Sequence, residues 1–156
     1  MNTNTKRFDR RQILKAAGGL GIMAFGASMS PMAFAAWNKA AFEAKSLSDV
    51  YGALGAGSPS NSGDVQIIAS DIAENGAVVP IQAVSKLANT EQISILVEKN
   101  PSALVCLFNL TADVLPEVTT RIKMGQTSNV TVLVKAGGKY YTTTKEIKVT
   151  LGGCGG

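Results

Sequence analysis

The sequence contains no histidine. That removes the commonest general base and the commonest metal ligand, and it rules out a Ser-His-Asp or Cys-His catalytic unit within the chain. Cysteine is scarce, with two residues among 156. A long apolar run is also missing. The most hydrophobic stretch, Ala16 to about Phe25, is far short of the ~20 residues that a membrane-spanning helix needs. At this length one modest domain can bury a core, but two independent cores cannot form. No internal repeat or low-complexity domain is present.

The formal charge of +4 does not indicate nucleic-acid binding, because the excess sits at one end. Five of the 15 basic residues are Lys6, Arg7, Arg10, Arg11 and Lys15, accompanied by a single acid, Asp9. From Ala36 onward ten basic side chains face ten acidic ones, so the remainder carries no net charge and no basic patch to grip phosphates.

The first 35 residues have the layout of an export signal: a basic segment, a short Gly/Ala-rich apolar segment, and Ala33-Phe34-Ala35 as a cleavage site just after Pro31. Within the basic segment, Asp9-Arg10-Arg11-Gln12-Ile13-Leu14-Lys15 resembles the twin-arginine signal used for proteins exported already folded. The expected mature chain begins at Ala36 and resides in the periplasm, with no membrane attachment after cleavage.

Trp37, Ala41, Ala44, Leu47, Tyr51 and Leu54 recur at three- and four-residue steps, which predicts one helix over residues 36–54. A Gly/Ser/Pro/Asn stretch from Gly55 to Gly63 ends it. The rest reads as β. Expected strands are Val65–Ala69, Ala77–Val84, Glu91–Glu98, Ala103–Leu110, Glu117–Met124, Asn129–Ala136 and Lys139–Leu151. Ile93, Ile95 and Val97 share a face, as do Val130, Val132 and Val134, with Ser94 on the opposite, polar side. Ala103–Leu110 is almost wholly apolar and is expected at the centre of a sheet. Gly137-Gly138 suits a two-residue hairpin turn, and Asn75-Gly76 a turn. Seven short strands without intervening helices predict a mainly β fold, an immunoglobulin-like antiparallel β-sandwich over residues 64–151.

The two cysteines differ in kind. Cys106 has the strand parity of Leu104, Phe108 and Leu110, which fits a small core residue. A disulfide to Cys154 is the alternative, open to an oxidising compartment. Cys154 lies in Gly152-Gly153-Cys154-Gly155-Gly156, which ends the sequence. Glycine loses the most freedom on ordering and has no side chain to pack, so residues 152–156 are expected to form a mobile, solvated arm. Cys154 then reaches ~10 Å beyond Leu151, at ~3.3–3.6 Å per residue. A cysteine so placed adds nothing to a core; its reactivity is what it offers. Small neighbours let its thiol enter a narrow cleft. The C-terminal carboxylate disfavours the thiolate, and no activating group is adjacent. The expected division of labour is that this chain carries a group while partners do the chemistry.

The Gly-Gly-Cys-Gly-Gly terminus behind a twin-arginine leader resembles the SoxY family, sulfur-compound carriers of the periplasmic thiosulfate-oxidising system. Ile72–Pro80, Thr120–Met124 and Lys145–Thr150 agree with it. The resemblance implies a heterodimer with SoxZ, and transient visits to three enzymes. The SoxAX cytochrome couples thiosulfate oxidatively to the thiol matching Cys154. The SoxB hydrolase releases sulfate, and SoxCD, where present, oxidises the remaining sulfane sulfur. It implies no catalytic residue, no metal and no cofactor beyond the sulfur held on Cys154. Arg121 and Lys123, expected to face outward, are candidate docking residues. Three rivals remain: a structural sandwich with an interchain Cys154 disulfide, a ubiquitin-like carrier using a terminal thiocarboxylate, and a metal carrier. The second needs ATP-dependent activation, and the third lacks a second soft ligand in the tail.

Overall fold

The computed structural model describes residues 38–150. The leader with Arg10, Arg11, Ala33 and Ala35 lies outside the described residues, as do Trp37 and the arm with Gly152, Gly153, Cys154, Gly155 and Gly156. Two helices come first, α1 (Lys39–Glu43) and α2 (Leu47–Leu54). Nine strands follow: β1 (Ser60–Asn61), β2 (Val65–Ile68), β3 (Ile72–Ala73), β4 (Val79–Ser85), β5 (Thr90–Val97), β6 (Leu104–Asn109), β7 (Glu117–Ile122), β8 (Ser128–Ala136) and β9 (Lys139–Val149). All seven strands expected from the sequence are present. The two-residue β1 and β3 are additional, and too short to leave a pattern.

The expected single helix is broken. Ser46 adopts extended backbone and its hydroxyl accepts from the Asp49 amide, so α2 starts afresh behind an N-cap. Ala44, also extended, gives its carbonyl to the Ala103 amide (3.0 Å) and ties the break to the start of β6. Asn38 caps α1 through the Ala41 amide, and its side-chain amide donates to the Ala53 carbonyl at the far end of α2. Gly55, at φ +70°, closes α2 in the left-handed conformation that glycine adopts without a Cβ penalty.

The strands form two sheets. The larger has the order β1-β9-β8-β5-β6, with β3 also paired to β9; the smaller is β2-β4-β7. Their facing surfaces make the sandwich core: Val79, Ile81, Ala83 and Ile122 from the small sheet meet Ile93, Ile95, Val97, Val130, Val132, Val134 and Ile147 from the large one. Gly137 and Gly138, at φ +55° and +74°, make the β8–β9 hairpin turn with both residues at positive φ.

The outer face of the large sheet is buried too. Leu96, Leu133 and Leu104 pack there with Ala41, Ala44 and Val50, and the Tyr140 hydroxyl donates to the Leu54 carbonyl (2.8 Å). The helices therefore cover the protein's own sheet. This corrects two expectations. Ser94 is not on a polar face; it is fully buried in this second layer, and its hydroxyl finds no hydrogen-bond partner. β6 is not central either but ends the sheet, next to β5 alone. It is apolar because the sandwich covers one of its faces and the helices the other. A register shift at Ile95/Leu96 also breaks the expected parity: Cys106 stands opposite Ile95 on the sandwich side, whereas Leu104 stands opposite Leu96 on the helix side. Among the described residues no helix is long and apolar enough to cross a membrane.

Candidate functional site

The expected reactive residue, Cys154, lies five residues after the end of β9, so that strand leads into the segment expected to be the arm. β9 is the longest strand. It is held by β8 along one edge, and by β1 and then β3 along the other. Its last residues are fixed one by one. The Lys148 amide donates to the Asp71 carbonyl (2.9 Å), the Val149 amide to the Thr127 hydroxyl (3.0 Å) and the Thr150 amide to the Ala73 carbonyl (3.1 Å). The chain is thus pinned through Thr150, the last of the described residues.

The segment β9 leans on is itself clamped. Lys145 Nζ bonds the Ala69 carbonyl (2.6 Å) and the Asp71 carboxylate (2.8 Å). That ion pair holds the exposed Asp71 carboxyl below its usual range, chiefly through the lysine hydrogen bond and then its charge. Asn75 makes the expected turn, its side chain accepting from the Ala77 amide (2.9 Å). Gly76 then lies flat against the sheet. Its carbonyl accepts from the Met124 amide (2.7 Å), and a Cβ at this position would sit 2.4 Å from the Met124 carbonyl oxygen and 2.9 Å from Val149 Cγ1. Sequence reasoning identified the turn and missed the close approach, which pairs residues 48 apart in the chain.

Cys106 offers a contrast. It is a free thiol, half-buried against the sandwich core on the edge strand β6. Burial pushes its pKa up to about 11, against a smaller opposite pull from its hydrogen bond with the Ile95 backbone. At neutral pH it is a neutral thiol and a poor nucleophile. Its place agrees with the core-residue expectation.

Arg121 and Lys123 point outward, as expected, while Ile122 and Met124 turn into the core. Arg121 stands opposite Pro80 on the uncovered face of the small sheet. No three His, Cys, Asp or Glu side chains gather into a metal-binding group among the described residues, and Asp113 and Glu117 form no cluster.

The family model for "Sulfur oxidation protein SoxY" matches residues 51–154, so the matched region ends on Cys154. Among solved structures, the sulfur carrier protein SoxY from Chlorobium limicola f thiosulfatophilum is similar: 39% identity over 66% of this chain and 96% of that one, with a TM-score of 0.58. A superoxide reductase (neelaredoxin) variant from Ignicoccus hospitalis matches at 14% identity and a TM-score of 0.50, covering 64% of this chain and 87% of the other; that likeness is one of fold alone. No curated protein matches the sequence.

Proposed function

The chain belongs to the SoxY family of sulfur oxidation proteins, and from that premise we propose that it is a periplasmic carrier holding thiosulfate-derived sulfur covalently on Cys154. One observation carries the reading. The family match runs to Cys154, four residues past Thr150, the last of the described residues and itself pinned to the body, whereas the chain's other thiol, Cys106, is half-buried with its pKa raised to about 11. A group on Cys154 can travel; a group on Cys106 cannot.

In the loading step the Cys154 thiol and thiosulfate lose two electrons and one proton together, forming an S–S bond and leaving a cysteine S-thiosulfonate. The electrons pass to the haem of the SoxAX cytochrome. Water, at the SoxB site, then takes the terminal sulfone group away as sulfate. SoxCD oxidises the remaining sulfane sulfur, and a second hydrolysis restores the thiol. The carrier catalyses none of these steps. It supplies a small, unhindered sulfur on glycines that fit a narrow active-site channel. SoxZ would be the standing heterodimer partner, exported with the folded chain by the twin-arginine route.

The test uses thiosulfate, the SoxAX cytochrome and this chain with its SoxZ partner. Wild type should support thiosulfate-dependent haem reduction in proportion to the carrier added. Cys154→Ser should support none, with its melting temperature unchanged. Equal haem reduction by the Ser variant would remove Cys154 from the reaction, and a large fall in its melting temperature would contradict an arm that packs on nothing.

A further inference from the structure

The turn after β3 carries a chemistry that the carrier reading does not use. Asn75-Gly76 is the one Asn-Gly pair in the sequence. Asparagine is among the chemically labile side chains, because its carboxamide carbon is open to attack by the main-chain nitrogen of the next residue. A side chain on that next residue crowds the attack, and glycine has none. The fold sets out the parts of such a reaction. Asn75 is exposed, and its Oδ1 accepts from the Ala77 amide at 2.9 Å. This ring is an Asx turn, which lays the carboxamide against the intervening peptide, whose nitrogen belongs to Gly76. The Val78 amide donates to the Asn75 carbonyl (3.2 Å) and fixes the same turn through the main chain. The Gly76 amide donates no hydrogen bond among the described residues, so its nitrogen is not held elsewhere.

We propose that Asn75 is a site of spontaneous modification in the folded protein: the Gly76 nitrogen closes on Asn75 Cγ, ammonia leaves, and the resulting succinimide opens with water to aspartate or isoaspartate. In the first step the bond from Gly76 nitrogen to Cγ forms and the Cγ–Nδ2 bond breaks. Nδ2 departs as ammonia with the proton that the Gly76 amide gives up. In the second step water adds across one of the two imide C–N bonds, which leaves one peptide bond and one carboxylate. Nothing is oxidised or reduced. Negative charge develops on Oδ1 as the ring closes, and the Ala77 N–H already points at that oxygen. A donor placed in advance on a developing oxyanion, with the nucleophile held adjacent, lowers the barrier to acyl transfer. The exposure of Asn75 lets ammonia leave and water enter. The reaction is independent of what Cys154 carries.

The position of the pair decides what the modification does. Opening to aspartate keeps the backbone and adds a charge beside the exposed Glu74. Opening to isoaspartate reroutes the main chain through the side chain and inserts one extra carbon–carbon bond, ~1.5 Å. Gly76 has no room for that. Its carbonyl accepts from the Met124 amide at 2.7 Å, and a Cβ there would already lie 2.4 Å from the Met124 carbonyl oxygen and 2.9 Å from Val149 Cγ1. Isoaspartate at 75 therefore breaks the Gly76–Met124 bond and disturbs the end of β9. Thr150 is held there by Ala73, two residues before Asn75. The age of the chain is thereby written into the hold on its last described residue.

The experiment incubates the chain in warm, mildly alkaline buffer made with heavy-oxygen water, folded in one sample and unfolded in urea in the other, and maps its peptides over time. In the folded chain Asn75 should take up heavy oxygen before any other asparagine, at least as fast as in urea and at a rate that rises with hydroxide concentration. An Asn75 that stays an amide in the folded chain and converts in urea alone would overturn the proposal, because the fold would then shield the pair. Earlier conversion of another asparagine in the folded chain would overturn it as well. The isoaspartate fraction, isolated by ion exchange and identified by its peptide map, should exchange the Met124 and Thr150 amides with solvent several-fold faster than the unmodified chain. Asn75→Asp, which adds the charge on an unaltered backbone, should not. Equal amide protection in the isoaspartate fraction and the unmodified chain would refute the link to β9.

Discussion

The two sheets are covered differently. At the centre of the large sheet β5 and β8 are buried on both faces, one covered by the small sheet and the other by α1 and α2. The small sheet is buried on one face only; Ile68, Pro80, Thr119 and Arg121 remain exposed on the other. The difference separates two tasks. β5 and β8, closed in from both sides, supply an unyielding frame. The bare face of the small sheet leaves the opening between β3 and β4 uncovered.

The comparison can be broken at graded strengths. The largest effect belongs to the doubly covered sheet. Leu133→Ala removes a side chain that is 1% exposed under the helices and should cost about 2–5 kcal/mol, the usual range for such a cavity, seen as a lower urea midpoint; a loss below 1 kcal/mol would mean that the helices pack loosely. Next comes the joint between that frame and the end of β9. Gly76→Ala forces a Cβ against the Met124 backbone and Val149 and should cost about 1–3 kcal/mol, as overpacking does; an unchanged midpoint would show that residues 74–77 move freely.

A third test uses Cys106. Its thiol pKa is raised on folding to about 11, so its contribution to stability is complete below the unfolded value and fades as pH climbs from about 9 through 11. Wild type should lose more stability over that window than Cys106→Ala, which keeps the loss due to the raised Tyr51 phenol; parallel curves would place the thiol in water. The smallest effect is at acid pH. Asp71 and Glu91 are both held below the usual carboxylate range, chiefly by hydrogen bonds from Lys145 and Lys135 respectively. Depressed values stabilise above the unfolded pKa and lose that contribution as pH falls through the folded one, below about 4. Both carboxylates are exposed, so the loss should be slight and should shrink further in high salt. A salt-insensitive acid loss that is the same in Lys145→Met would assign it to other groups.

These tests also mark where the sequence could be read and where it could not. Period-two patterns placed several of the seven strands, since alternation records one buried face directly, and an apolar run placed the strand at 103–110. The same rule misplaced Ser94 and the centre of the large sheet, because a strand covered on both faces looks the same whether its neighbours number one or two. The break at Ala44 was hidden because the helical spacing continues through it, although Ser46-Leu47-Ser48-Asp49 carried an N-cap signal. Cys154 was legible as a candidate because glycines flank it on both sides. The opening between β3 and β4 was not, because Ile68, Ile72 and Val78 look like ordinary strand residues until the chain brings them around it.

The central claim is tested most directly by the intact mass of the protein isolated from periplasm, before and after a thiol reductant, with the C-terminal peptide mapped. Reducible adducts of sulfur-oxyanion mass on Cys154, with Cys106 unmodified, are the predicted result. An unmodified mass, or nothing beyond a symmetric disulfide dimer, even after exposure to thiosulfate with the cytochrome partner, would contradict it.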